Sequence, residues 1–243
     1  MVKFSGVLDS IVNFLYPSSC PLCGNHVSTH GELCSDCWGM FNWVRGPKCA
    51  KCGYPFSSDL DLPLETLCPT CAAGKCELDW IRSACIYDDA SKVAMLPFKH
   101  CGKTKYSLFM ARAMIWALRD IDVDADVVMP VPLAYLRLIK RGYNQATLLA
   151  RPIARAMGVG LDLNSVRRKY RPSMGHKTAA QRAQNIRGVF SVVQPDKIKG
   201  RKILLVDDVM TSGATFSELR RVLLKAGALA VYGVTFCRVV RSN

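Results

Sequence analysis

The sequence predicts an α/β protein: a parallel sheet with helices on both faces, preceded by a small cysteine-stapled segment. Three observations lead there. From about Leu78 onward, apolar strands alternate with amphipathic helices. One of those strands, residues 203–206, runs straight into two consecutive aspartates, Asp207 and Asp208. Four Cys-x-x-Cys pairs are confined to the stretch from Cys20 to Cys71. Alternation of strand and helix is the pattern of a sheet buried on both sides. The domains are therefore expected at 1–78 and 79–243. With half of its 243 residues hydrophobic and 21% charged, the chain can bury a sizeable core.

The first residues, MVKFSGVLDSIVNFLYP, carry one lysine, an early Asp9 and no small-residue cleavage site. They read as an amphipathic helix and not as a signal peptide. No apolar run approaches the ~18 residues of a membrane-spanning helix. The expectation is a cytoplasmic protein without membrane insertion.

In a chain without an export signal, twelve cysteines point to metal before disulfides. Two intervening residues let both thiolates of a tight turn face one ion, and two such turns complete a tetrahedral zinc shell. The first and third pairs run into glycine (CPLCG, CAKCG), whereas the second and fourth (CSDCW, CPTCA) do not. A unit used twice therefore predicts Cys20, Cys23, Cys34 and Cys37 for one zinc, and Cys49, Cys52, Cys68 and Cys71 for a second. An interleaved cross-brace is the alternative. Four cysteines leave no open coordination position, so both ions are expected to be structural. The segment is rich in turn formers and too small to fold on its own apolar core, and zinc would supply the missing folding energy. His26 and His30 read as surface residues. Cys76, Cys85, Cys101 and Cys237 read as ordinary core or surface thiols.

Residues 80–87 (WIRSACIY) read as a strand and 104–119 as a helix facing inward through Leu108, Ala111, Ile115 and Leu118. Residues 126–131 (DVVMPV) form a buried strand. Residues 145–157 form a helix capped by Asn144 and ended by Gly158. A strand at 202–206, a helix at 214–226 and a strand at 229–237 complete the order. Phe216, Leu219, Leu223 and Ala226 share one face of the 214–226 helix, with Arg220 and Arg221 pointing away.

The chemistry concentrates at ILLVDDVMTSGAT, residues 203–215. An apolar strand delivers Asp207 and Asp208 to the carboxyl edge of the sheet, where α/β folds bind ligands. The chain then turns through Thr211, Ser212 and Gly213 into a helix starting near Ala214. Turn amides, the hydroxyls of Thr211, Ser212 and Thr215, and the helix dipole can converge on one phosphate. Gly213 permits close backbone approach. A phosphate cradle beside two carboxylates suits a sugar phosphate.

Net charge is +14, but residues 1–78 hold 5 basic and 7 acidic side chains. Between Leu133 and Pro195 there are twelve Lys or Arg against one acid, Asp162. Such asymmetry points to a polyanionic partner or to a solvated basic face. Arg137, Lys140 and Arg141 follow a strand end, and Asn144 opens a helix. Forked guanidinium groups and a helix N-terminus suit a diphosphate, with a plain basic loop as the alternative. Lys99 is a further candidate for the diphosphate. His100 and His176 have no catalytic role in this reading.

The 203–215 stretch resembles the 5-phosphoribosyl-1-diphosphate (PRPP) motif of type I phosphoribosyltransferases: apolar residues, two acids, two residues, two hydroxyls, Gly, any residue, Thr. PVPLAYLRLIKRGYNQATLLA (130–150) resembles the "PVPL, then R, RGxNQA and LA" segment of the ComF family, competence-related phosphoribosyltransferase-like proteins. MLPFKHCGK (95–103) and RAQNIRGVF (182–190) resemble two more of its stretches. The family's N-terminal double zinc ribbon matches the four cysteine pairs. The resemblance thus covers nearly the whole chain. One departure is Met174, Gly175, His176, Lys177 and Thr178, where members carry Gln and then Gly-Leu-Ser in a segment similar to a mobile active-site loop.

The resemblance implies a type I phosphoribosyltransferase-like fold binding PRPP and Mg²⁺ through Asp207, Asp208, Thr211, Ser212, Gly213, Ala214 and Thr215. It implies transfer of ribosyl phosphate with release of diphosphate, Asp207 and Asp208 stabilising charge on the ribose. It also implies natural transformation, with single-stranded DNA and other competence proteins as partners. A working transferase and a DNA-handling protein with regulatory or vestigial PRPP binding both remain open. For the second, Arg167, Arg168 and Lys169 are expected on a backbone-tracking groove with limited base stacking.

Overall fold

A computed structural model describes residues 17–74, 76, 78–100, 102–170 and 185–240. The expected N-terminal helix and the Met174–Thr178 departure lie outside the described residues. In chain order the strands are β1 (Ile81–Ile86), β2 (Val127–Pro130), β3 (Gly160–Leu161), β4 (Val166–Arg168), β5 (Phe190–Val192), β6 (Lys202–Met210) and β7 (Ala230–Arg238). The helices are α1 (Ser35–Gly39), α2 (Pro69–Ala72), α3 (Asp89–His100), α4 (Ser107–Ala117), α5 (Tyr135–Arg141), α6 (Gln145–Met157) and α7 (Ala214–Lys225).

Five strands form one parallel sheet in the order β1-β7-β6-β2-β3, and β4 and β5 make a separate antiparallel hairpin. The alternation read from sequence therefore gives the sheet it predicts. Strand β6 is central, and successive side chains take opposite faces. Leu204 and Val206 join the core with α4 and α6, while Ile203 and Leu205 join the core with α7.

Helix α6 has the predicted bounds. Asn144 Oδ1 accepts from Ala146 N at 3.1 Å, and Gly158 ends it in the left-handed region. The inward face of α4 differs from the expectation. Phe109, Met110, Ala113, Met114 and Ala117 are buried with Ala111, whereas Leu108 is 36% exposed and Ile115 half-buried. Leu108 instead meets Gly31 of the cysteine-rich segment. Leu118, at the end of the helix, is buried as expected. The predicted stripe holds at two of its four positions, because a helix packed on two sides has no single apolar stripe. Helices α3 and α5 lie where the sequence suggested no helix.

The cysteine-rich segment is bolted across β1. Residues 42–44 run antiparallel along this edge strand, with Val44 N donating to Ala84 O at 2.9 Å and Ile86 N to Asn42 O at 2.8 Å. That covers the free edge of the sheet. Phe41 and Trp43 then enter the α4 side of the core against Phe236 and Phe109. The second group of cysteines lies on the opposite side with Leu78, Ile81 and Phe216. Two parts of one segment thus straddle the edge of the sheet.

Candidate functional site

The cysteines pair consecutively. The sulfurs of Cys20, Cys23, Cys34 and Cys37 lie within 4.8 Å of one another, as do those of Cys49, Cys52, Cys68 and Cys71. The cross-brace alternative falls away. Across the turns, Cys23 Sγ is 3.5 Å from Cys34 Sγ and Cys52 Sγ is 3.6 Å from Cys68 Sγ. Bonds of 2.3 Å in a tetrahedral zinc shell require sulfurs about 3.8 Å apart, so the donor sets fit. Gly53 (φ +65°) closes the third turn in the left-handed region, explaining the glycine-ended pairs. Burial pushes the Cys49 thiol up, but amides of Cys52, Cys68 and Lys51 outweigh it and bring it down to about 7. In the same cluster burial pushes Cys52 up to about 12. A second thiolate is unfavourable without a cation to share.

The structure extends β6 to Met210. Asp207 and Asp208 are therefore the sixth and seventh of nine strand residues, and Thr211, Ser212 and Gly213 form the turn. Gly213 adopts φ +76° directly before α7, and no side chain caps that helix. Its first amides point into a turn where Thr211 and Ser212 are exposed and Thr215 half-buried. A free twelve-residue helix N-terminus beside hydroxyls has the charge and geometry that suit a phosphate.

Asp208 is 9% exposed, and Lys99 Nζ lies 3.3 Å from its Oδ2. Asp207 accepts from Asp208 N at 2.9 Å. Burial, and then the Asp208 charge beside it, push the Asp207 carboxyl up to about 7, against the pull of Lys99 and Arg168. Lys99, the weaker candidate in the sequence, is thus brought onto the acidic pair. It is held there by two side chains that sequence reasoning missed. Tyr143 Oη donates to Phe98 O, and Gln145 Nε2 donates to Lys99 O at 3.4 Å. Between them Asn144 Nδ2 donates to Val131 O at 3.1 Å. The segment after α5 thereby ties the end of α3 to the end of β2.

Arg168 differs from its two basic neighbours in surroundings. It is half-buried between exposed neighbours and lies near enough to Asp207 and Arg137 for their charges to act on it. Burial lowers its basicity most, followed by the nearby Arg137 charge, while Asp207 opposes both. Its guanidinium lies 5.3 Å from the Phe190 ring centre, across the β4–β5 hairpin. Buried Glu218 on α7 accepts from Gly188 N at 2.7 Å and so fixes that hairpin. Arg137 is exposed and Arg141 half-buried on α5, a helix and not the basic loop of the alternative reading. Flanking Arg167 and Lys169 are exposed. Lys99, Arg137 and Arg168 around two carboxylates and a helix N-terminus suit a ligand carrying hydroxyls and more than one phosphate.

Fold and site together define a phosphoribosyltransferase-fold protein carrying a double zinc ribbon. Family models bear this out, matching a double zinc ribbon domain over residues 11–72 and a phosphoribosyl transferase domain over residues 111–242. The chain belongs to the ComF family. It is 30% identical to competence protein F of Haemophilus influenzae, an alignment covering 86% of this chain and 92% of that one. It is 28% identical to DNA utilization protein YhgH of Escherichia coli over 92% and 98%. It is 27% identical to competence protein ComFC of Bacillus subtilis over 82% and 80%. Among solved structures, adenine phosphoribosyltransferase from Thermoanaerobacter pseudethanolicus aligns with 58% of the chain at 16% identity and a TM-score of 0.35. Among the described residues no helix is long and apolar enough to cross a membrane.

Proposed function

We propose that this protein binds PRPP with Mg²⁺ and transfers its ribosyl phosphate to an acceptor, releasing diphosphate, in the cytoplasmic handling of DNA during uptake. One observation carries the reading: two carboxylates with Lys99 and Arg168 about them stand directly before an uncapped helix N-terminus. Amides of residues 213–215 with Thr211, Ser212 and Thr215 hold the 5-phosphate, and Asp207 and Asp208 accept from the ribose hydroxyls. Mg²⁺ supplies charge neutralisation on the diphosphate, a role that fits a site rich in oxygen donors. As the anomeric bond breaks, the carboxylates stabilise positive charge on the ribose ring, and Lys99, Arg137 and Arg141 receive the leaving group.

The experiment is incubation with PRPP and Mg²⁺ across purine, pyrimidine and nucleic-acid acceptors, following diphosphate release. Release that depends on an acceptor, and on Asp207 and Asp208, supports the transferase. PRPP binding without release with any of them leaves the second reading. In that reading the chain binds single-stranded DNA and answers to PRPP as a signal. The basic run from Leu133 to Pro195 and the DNA-utilization names of its relatives favour it. Other competence proteins would be its partners in either case.

A further inference from the structure

Two arginines have no explanation in the site described above. Arg82 on β1 is 7% exposed, and Arg238 at the end of β7 is 4% exposed. Each has a buried Nε without a hydrogen-bond partner among the described residues. Neither forms an ion pair with a carboxylate among those residues. A guanidinium cannot lose its proton to escape burial, so an uncompensated one is strongly unfavourable. Two of them on neighbouring strands require an anion.

Both stand beside the second cysteine cluster. Arg238 Nη1 donates to Cys52 O at 2.6 Å, and its guanidinium covers the Tyr54 ring at 5.2 Å. Arg82 Nη1 donates to Ile81 O at 3.0 Å, the carbonyl against which Gly53 of the third cysteine turn packs. Burial most of all, and the Arg238 charge, work against the charged form of Arg82, while Asp120 first and then Cys49 and Cys52 favour it. Of these, Asp120 is already engaged by Lys48 Nζ at 2.6 Å. The first cluster differs. Cys23 is exposed and Cys34 half-buried, whereas all four cysteines of the second cluster are buried.

We propose that Arg82 and Arg238 are the counter-charges of the second four-cysteine zinc centre, and that through them its occupancy is felt at the ligand-binding edge of the sheet. Four thiolates around a divalent ion leave two negative charges, matched in number by two buried guanidinium groups. Partners outside the ligand shell tune a metal site in this way. The link to the edge is short. Arg238 pairs in register with Met210, and Val239 N donates to Met210 O at 2.9 Å, one residue before Thr211. The inference does not depend on what the 207–215 motif binds.

The test is competition of the zinc-loaded full chain against a chromogenic chelator. In Arg82→Met and Arg238→Met one of the two zinc equivalents should bind about 10- to 100-fold more weakly, with the other unchanged. Cys23→Ser, which disables the first centre, identifies which ion is which. Arg238→Lys keeps a charge and should recover part of the loss. Retention of both ions at wild-type strength would overturn the assignment, as would equal weakening of both. A second measurement uses the native arginines, in case the methionine variants do not fold. Removing both ions should speed amide exchange at Met210 and Val239, whereas Cys23→Ser should leave these amides as in wild type. Unchanged exchange in the stripped protein would refute the link to the sheet edge.

Discussion

Asp207 is the residue whose surroundings depart furthest from those of an ordinary carboxylate in the proposed ligand site. Burial and Asp208 hold its carboxyl up at about 7, well above an unfolded aspartate. The folded state therefore binds the extra proton, and this group's contribution to stability is lost as pH rises from about 4 through 7. Ligand binding runs the opposite way, because an acceptor of ribose hydroxyls must be ionised. PRPP affinity, measured by calorimetry between pH 5.5 and 8.5, should rise through a step near 7. That step should vanish in Asp207→Asn, which separates it from ionisation of the ligand's own phosphates. Asp207→Asn and Asp208→Asn should each weaken binding by about 1.5–3 kcal/mol, the worth of a hydrogen bond to a charged group, without unfolding the domain. Thr215→Val should weaken the contact to the 5-phosphate and leave the circular dichroism spectrum as it is. Equal affinity in all three variants would reduce the motif to a structural turn.

Among elements, the β4–β5 hairpin decides what its basic residues can do. Arg167 and Lys169 face solvent, whereas Arg168 lies in the field of Asp207 and Arg137. Alternation along a strand enforces this split. Replacing Arg167 and Lys169 together by Ala should flatten the salt dependence of single-stranded DNA binding while sparing PRPP affinity. Arg168→Ala should lower PRPP affinity instead. A filter-binding series in salt, run beside calorimetry on the same variants, distinguishes the two. DNA binding that ignores salt in the wild type would remove the basis for a backbone-tracking groove. Helix α3 shows the same dependence on context. It contains Pro97, a poor residue for a helix interior. Yet Lys99 reaches Asp208 because Tyr143 and Gln145 hold the last carbonyls of α3.

At the scale of the molecule, the cysteine-rich segment is not a separable appendage. Residues 42–44 cover β1, Phe41 and Trp43 enter one core, and the second cluster of cysteines enters the other. Metal analysis of protein purified without chelator should find about two zinc equivalents, one for each tetrahedral set. Cys49→Ser should then destabilise the whole chain, since all four ligands of its cluster are buried. Each kcal/mol lost would lower Tm by roughly 2–4 °C in a domain of this size. Cys23→Ser, at an exposed ligand, should act more locally. Differential scanning calorimetry would show one cooperative transition shifting in the first variant. Two separate transitions in the wild type would contradict the bolted arrangement.

By itself the sequence determined whatever depends on near neighbours in the chain. Cys-x-x-Cys spacing was enough for two four-cysteine sites, because a tight turn aims both thiolates the same way. The glycine-ended turns favoured consecutive pairing, but the grouping of the sulfurs in space excluded the cross-brace. A hydrophobic strand, two acids, hydroxyls and a glycine were enough for the strand–turn–helix of residues 203–215, because each step there is a local backbone preference. Asn144 and Gly158 marked the ends of α6 for the same reason. Only the tertiary structure decided which charges meet. Lys99 faces Asp208 across 109 positions of chain, Arg168 lies in the field of Asp207, and Arg82 and Arg238 lie beside the second cysteine cluster. None of these pairings leaves a periodic trace, since a lysine or arginine reads as a surface residue until folding removes water from around it. Burial then makes each unmatched charge so unfavourable that a partner must be brought to it, and which partner is available is fixed by the order of strands in the sheet.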